Sequence, residues 1–69
     1  MEKYLVKFYD TRTDEFFDEN IMFARNEEEL LEHLDSQGQI NRIREKREHE
    51  YLDLDDNGDL IKIIQVSHI

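Results

Sequence analysis

Asp53-Leu54-Asp55-Asp56-Asn57-Gly58-Asp59, DLDDNGD, admits two readings, and the choice between them decides the fold. Counted from Asp53, acids stand at the first, third and seventh positions, an amide at the fifth and glycine at the sixth, as in the first half of an EF-hand calcium loop. The second half does not follow. The twelfth position is Ile64, where that loop needs a bidentate glutamate, and DLIKIIQVSHI (59–69) is β-branched instead of helical. A hairpin fits better: with Asn57-Gly58 as a two-residue turn, Asp56 faces Asp59, Leu54 faces Ile61, Asp53 faces Lys62 and Leu52 faces Ile63. Leu52, Leu54, Ile61 and Ile63 then share one face, with Tyr51, Ile64 and Val66 on the other.

A hairpin at the C-terminus needs further strands, and the N-terminus supplies them. In KYLVKFYD (3–10), Tyr4, Val6 and Phe8 alternate with Lys3, Leu5, Lys7 and Tyr9, the period of two of a strand. After TRTDE, rich in turn formers, FFDENIMFA (16–24) repeats that period through Phe17, Ile21 and Phe23, and the interruption at Glu19 and Asn20 suggests a bulge. The period then changes. NEEELLEHLDSQG (26–38) opens on Asn26 as N-cap with Glu29 three residues later, places Leu30, Leu31 and Leu34 on one side, and closes on Gly38 as a left-handed cap. Residues 39–48 are read as loop or turn to about Arg44 and strand thereafter. The expected fold is α+β, in the order β-β-α-β-β, with one helix packed on a face of an antiparallel sheet. Its expected core is Val6, Phe8, Phe17, Ile21, Phe23, Leu30, Leu31, Leu34, Leu52, Leu54, Ile61 and Ile63.

The 69 residues make one domain, 1–69, near the lower size at which a core holds without staples, and there is no cysteine to provide one. Packing or a second chain must supply the stability, so a homodimer is an option, with Tyr51, Ile64 and Val66 as the apolar set left for a partner copy. No apolar run reaches the length of a membrane span, and the N-terminus has no signal-peptide core, so a cytoplasmic protein is expected.

Charge bears most directly on function. Eighteen acids against nine bases give a net charge of −9, yet the seven aromatic residues fall in patterned positions, so the chain reads as folded and acidic. Such a charge repels nucleic acid and anionic lipid and favours basic partners. The stretch RIREKREHE (42–50) interleaves Arg42, Arg44, Lys46 and Arg47 with Glu45, Glu48 and Glu50, the pattern of a solvated strand with cross-strand ion pairs. His33, His49 and His68 lack the i, i+4 spacing of a helical metal site, and Ser36 and Ser67 have no evident oriented base. Neither catalysis nor a cofactor or metal is expected.

Two acidic rows are the candidate partner-binding residues: Glu28, Glu29, Glu32 and Asp35 on the helix, and Asp53, Asp55, Asp56 and Asp59 in the C-terminal hairpin. Acids repeating along a helix face or at i, i+2 on a strand can stand in for a subset of nucleic-acid phosphates. The stretches DEFFDEN, NEEELLEHLD and DLDDNGD, with the length, acidity and lack of cysteine and proline, resemble the small acidic early proteins with which bacteriophages take over a host. Within that group the resemblance is to the DNA-mimic inhibitors, one of which, from a Bacillus phage, blocks the nucleoid protein HU. The resemblance implies a non-enzymatic homodimer that displaces DNA from a basic DNA-binding protein of a bacterial host. Two alternatives stand beside it: the carboxylates are solubilising surface only, or the chain is a small regulatory or assembly domain that binds a protein through an apolar hairpin face.

Overall fold

The computed structural model describes residues 1–69, with the side chains of residues 44 and 45 outside the description. Strands β1 (Glu2–Asp10) and β2 (Glu15–Ala24) precede helix α1 (Glu27–Ser36), and β3 (Ile43–Arg47), β4 (Glu50–Leu54) and β5 (Leu60–His68) follow it. All pairings are antiparallel, in the order β2-β1-β5-β4-β3, so the chain's first and last strands meet in the middle of one sheet. The α+β class with one helix on an antiparallel sheet is what the sequence led us to expect. The sheet has one strand more than expected, because residues 43–47 already form a strand that turns at Glu48-His49 into β4.

DLDDNGD is a hairpin turn, one residue wider than the Asn-Gly reading. Leu52 pairs with Ile63 and Asp53 with Lys62 as expected, but the register then shifts and Leu54 pairs with Leu60, not Ile61. Asp55 and Asp59 close the loop through Asp55 N–H to Asp59 C=O at 2.9 Å, and Gly58 N–H donates to Asp55 C=O at 3.1 Å. Within this loop Gly58 alone has positive φ, at +86°. A type I′ turn needs positive φ at both central residues, so this is the three-residue loop in which a glycine bulge follows a tight turn.

Helix α1 is capped at both ends as its sequence dictates. The Asn26 side chain accepts from Glu29 N–H at 2.9 Å. Glu29 reaches back one residue further than a capping box requires, taking Arg25 N–H at 3.2 Å and the Arg25 guanidinium at 2.5 Å. At the other end Gly38 (φ +74°) donates to Asp35 C=O and Gln39 N–H to Leu34 C=O, the paired bonds of a Schellman cap.

The core lies between α1 and one face of the sheet: Tyr4, Val6 and Phe8 of β1, Ala24, Leu30 and Leu34, Tyr51, and Ile64 and Val66 of β5. Val6, Phe8, Leu30 and Leu34 were expected there, and Leu31 packs against them half-buried. The C-terminal hairpin is turned over relative to expectation. Val6 pairs with Val66 and Phe8 with Ile64, so the β1–β5 register puts Ile64, Val66 and their neighbour Tyr51 under the helix. Tyr51, Ile64 and Val66 are therefore core, not a face awaiting a partner. Leu52 is buried outside that cluster, and Leu54, Ile61 and Ile63 are only half-buried.

Strand β2 shows the same reversal. Tyr4 pairs with Met22 and Glu2 with Ala24, so the even residues face α1, and Ala24, fully buried, has only a methyl group between strand and helix. Ile21 and Phe23 point to the other side, 56% and 55% exposed. The bulge is present but at Phe17, since Phe8 pairs with Asp18 and Tyr9 with Phe16. Phe17 rests its ring 6.0 Å from that of Phe8 and stays exposed.

Candidate functional site

On the outer face of α1, Glu28, Glu32 and Asp35 are exposed at spacings of four and three residues. The helical rise sets them ~6 Å and ~4.5 Å apart along the axis, on one side. Among the described residues none of the three carboxylates accepts a hydrogen bond or lies in an ion pair, which leaves their charge turned to solvent. Topology places the C-terminal end of this row at the same end of the sheet as the β4–β5 turn, where Asp56 and Asp59 are also exposed. These five carboxylates are the part of the expected partner surface that a partner can reach.

The other three are engaged within the fold. Asp53 is 0% exposed. Its carboxylate accepts Arg42 N–H at 2.6 Å and, with both oxygens, Asn41 N–H at 3.0 Å, while the Lys62 ammonium lies 3.4 Å from Oδ2. Lys62 also donates to Gln39 C=O, and Asn41 Nδ2 to Leu54 C=O at 2.6 Å. Asp53 thus pins the connection from α1 to β3 across the end of the sheet, and charge buried this way persists because it is paired and hydrogen-bonded. Asp55 is spent on the turn, its Oδ1 accepting Asn57 N–H at 2.8 Å and Asp59 N–H at 2.9 Å. Glu29 is held by Arg25, whose side-chain and backbone donors keep its carboxyl below the usual range. Asp53, Asp55 and Glu29 therefore commit their carboxylates to bonds within the fold.

Beside the acidic row is a feature that sequence reasoning missed. A shallow depression of about 400 Å³ lies between α1 and the start of β3, lined by Leu31, Ile40 and Ile43 together with Glu28, Glu32 and Asp35. The clue was present: Ile40 and Ile43 follow the helix cap at a spacing that no strand of the expected four could use.

Lys46 of the interleaved stretch lies near Glu27 at the helix start. Lys46 Nζ is 3.9 Å from Glu27 Oε1 and 5.4 Å from the Tyr51 ring, and the Tyr51 hydroxyl donates to the same Glu27 oxygen at 2.7 Å. Burial first, then the bond to Glu27 and its charge, raise the Tyr51 phenol well above its ordinary value. Lys46 thus pairs with the helix and not across the sheet, while the expected pairing of Arg44 and Glu45 falls on side chains outside the described residues. Among the described residues no three His, Asp or Glu side chains converge as a metal site would require, and no helix is long and apolar enough to cross a membrane.

No family model, curated protein or solved structure matches the chain.

Proposed function

We propose that this chain is a non-enzymatic acidic binding protein that occupies the DNA-binding surface of a basic partner and thereby inhibits its DNA binding. The observation that carries this reading is the exposed row Glu28, Glu32 and Asp35, whose carboxylates make no hydrogen bond or close ion pair among the described residues. One row of charges every ~5 Å is sparser than the phosphates of a DNA strand, at one per ~3.4 Å of axis, so the row imitates a subset of contacted phosphates. Asp56 and Asp59 extend the negative surface past the helix end. The resemblance to phage DNA mimics points to a bacterial host protein, HU being the example, met in the host cytoplasm.

Charge-led binding weakens steeply as salt rises. The test is binding of purified HU at low and at ~0.5 M salt, with the triple variant Glu28→Gln, Glu32→Gln, Asp35→Gln as control. Salt-sensitive binding that the variant loses supports the proposal. Equal binding by the variant removes the helix row from it. A second reading has its own observation: the exposed Phe16, Ile21 and Phe23 suit a regulatory or assembly domain that binds a protein through apolar surface, and such binding is nearly indifferent to salt.

A further inference from the structure

Helix α1 covers one face of the sheet; on the other, Leu52 is buried but the side chains of β2 are open. There Leu5 pairs with Ile21, Tyr9 pairs with both Phe16 and Ile63, and Phe23 extends the same side. Phe16, Ile21 and Phe23 are each more than half exposed, at 53%, 56% and 55%. We propose that a second copy of this chain covers this face, the two sheets packing against each other in a two-fold symmetric homodimer.

Area is the first support. Large apolar side chains span ~200 Å² each, so three at half exposure leave ~300 Å². The half-buried Leu5, Tyr9 and Ile63 and the polar rim bring the face to ~500–600 Å² per copy, and two copies bury ~1,000–1,200 Å², the lower bound of a specific interface.

Charge chooses the occupant. The chain carries −9, yet among the described residues this face has Lys3, Lys7 and Arg47 against Glu19 and Glu50, both signs in near balance. A two-fold axis brings a patch against itself, and a mixed-sign patch suits that where a row of acids does not. Antiparallel sheets stack face to face ~10 Å apart with side chains interdigitating. A chain of 69 residues without disulfides has most to gain from a second layer. The acidic helix rows then lie on the two outer surfaces, so the proposal is independent of the acidic-partner reading.

The test is sedimentation equilibrium of the full chain from ~1 µM to ~1 mM, a range spanning weak to moderate affinity. It is run at low salt and at ~1 M salt, beside the triple variant Phe16→Ser, Ile21→Thr, Phe23→Thr. The expected result is a reversible dimer that persists in high salt, weakened at least ~100-fold in the variant. A wild-type chain monomeric up to ~1 mM overturns the proposal and leaves the face to a different partner, as does a variant that dimerises as tightly as the parent. A second measurement needs no substitution: acylation of Lys7, on this face, is expected to slow as concentration rises while that of Lys46 does not. Equal concentration dependence at the two lysines overturns the proposal.

Discussion

Replacing Asp53 by alanine is expected to remove most of the stability of this domain. In the native fold its carboxylate serves Asn41 N–H, Arg42 N–H and the Lys62 ammonium from a fully buried position. Deleting one partner of a buried charged pair costs ~3–5 kcal/mol, since the remaining groups lose their acceptor. Asn41 and Arg42 are otherwise exposed, so water can reach part of the vacated space, and the lower end, ~3 kcal/mol, is the better figure. At ~0.05–0.15 kcal/mol per residue the whole domain has ~3–10 kcal/mol to lose. With an m-value of ~1 kcal/mol per M in urea, the midpoint falls by ~3 M, or the variant is unfolded before urea is added. The assay is urea denaturation followed by far-UV circular dichroism at one low protein concentration, so that self-association does not shift the curve. Lys62→Met is expected to cost a comparable ~3 kcal/mol, because it leaves the fully buried carboxylate with its two backbone donors but without its counter-charge. A drop of under ~1 M for Asp53→Ala, with a cooperative transition retained, would refute the assignment of Asp53 as the anchor of the α1–β3 connection.

Three further outcomes follow from the caps, the turn and the phenols. Asn26→Ala is expected to cost ~1 kcal/mol by the same denaturation assay, the worth of an N-cap bond. Gly58→Ala is expected to cost ~1–2 kcal/mol although nothing lies within 4 Å of the added Cβ, since the cost is positive φ alone; Asn57→Ala, outside the left-handed region, is expected to cost under ~0.5 kcal/mol. Tyr51 has a phenol raised above its ordinary 10.0, so the stabilisation it brings is complete below that pH and is lost as pH climbs toward the folded value; Tyr51→Phe is expected to flatten the loss in alkaline thermal melts.

The elements were legible in the sequence and their sidedness was not. Asn26, Glu29 and Gly38 announced the helix because capping is local chemistry within a few residues. DLDDNGD announced a hairpin for the same reason, although the loop's extra residue depended on how Asp55 bonds to Asn57 and Asp59. Which face of each strand meets the helix depends on the pairing of Phe8 with Ile64, 56 residues apart in sequence, and both faces of β1, β4 and β5 carry apolar side chains. Period-two alternation cannot break that tie. Residues 43–47 escaped as a separate strand because their charged residues offer no apolar alternation.

In the acidic rows the limit was burial. Glu28, Glu32 and Asp35 could be placed on one helix face by spacing alone. Asp53 could not be separated from Asp56 and Asp59 by composition, because what distinguishes it is the return of Asn41 and Arg42 to its carboxylate.

The central claim, that the exposed helix carboxylates occupy a DNA-binding surface, is tested most directly by competition. Labelled duplex DNA bound to purified HU is titrated with this protein at ~50 mM salt and again at ~200 mM, the range over which phosphate contacts lose most of their strength. The wild-type chain is expected to release DNA at low salt and less effectively at high salt, while the variant with Glu28, Glu32 and Asp35 changed to glutamine leaves the DNA bound. DNA that stays on HU at a large excess of wild-type protein, or is released equally well by the variant, would contradict it.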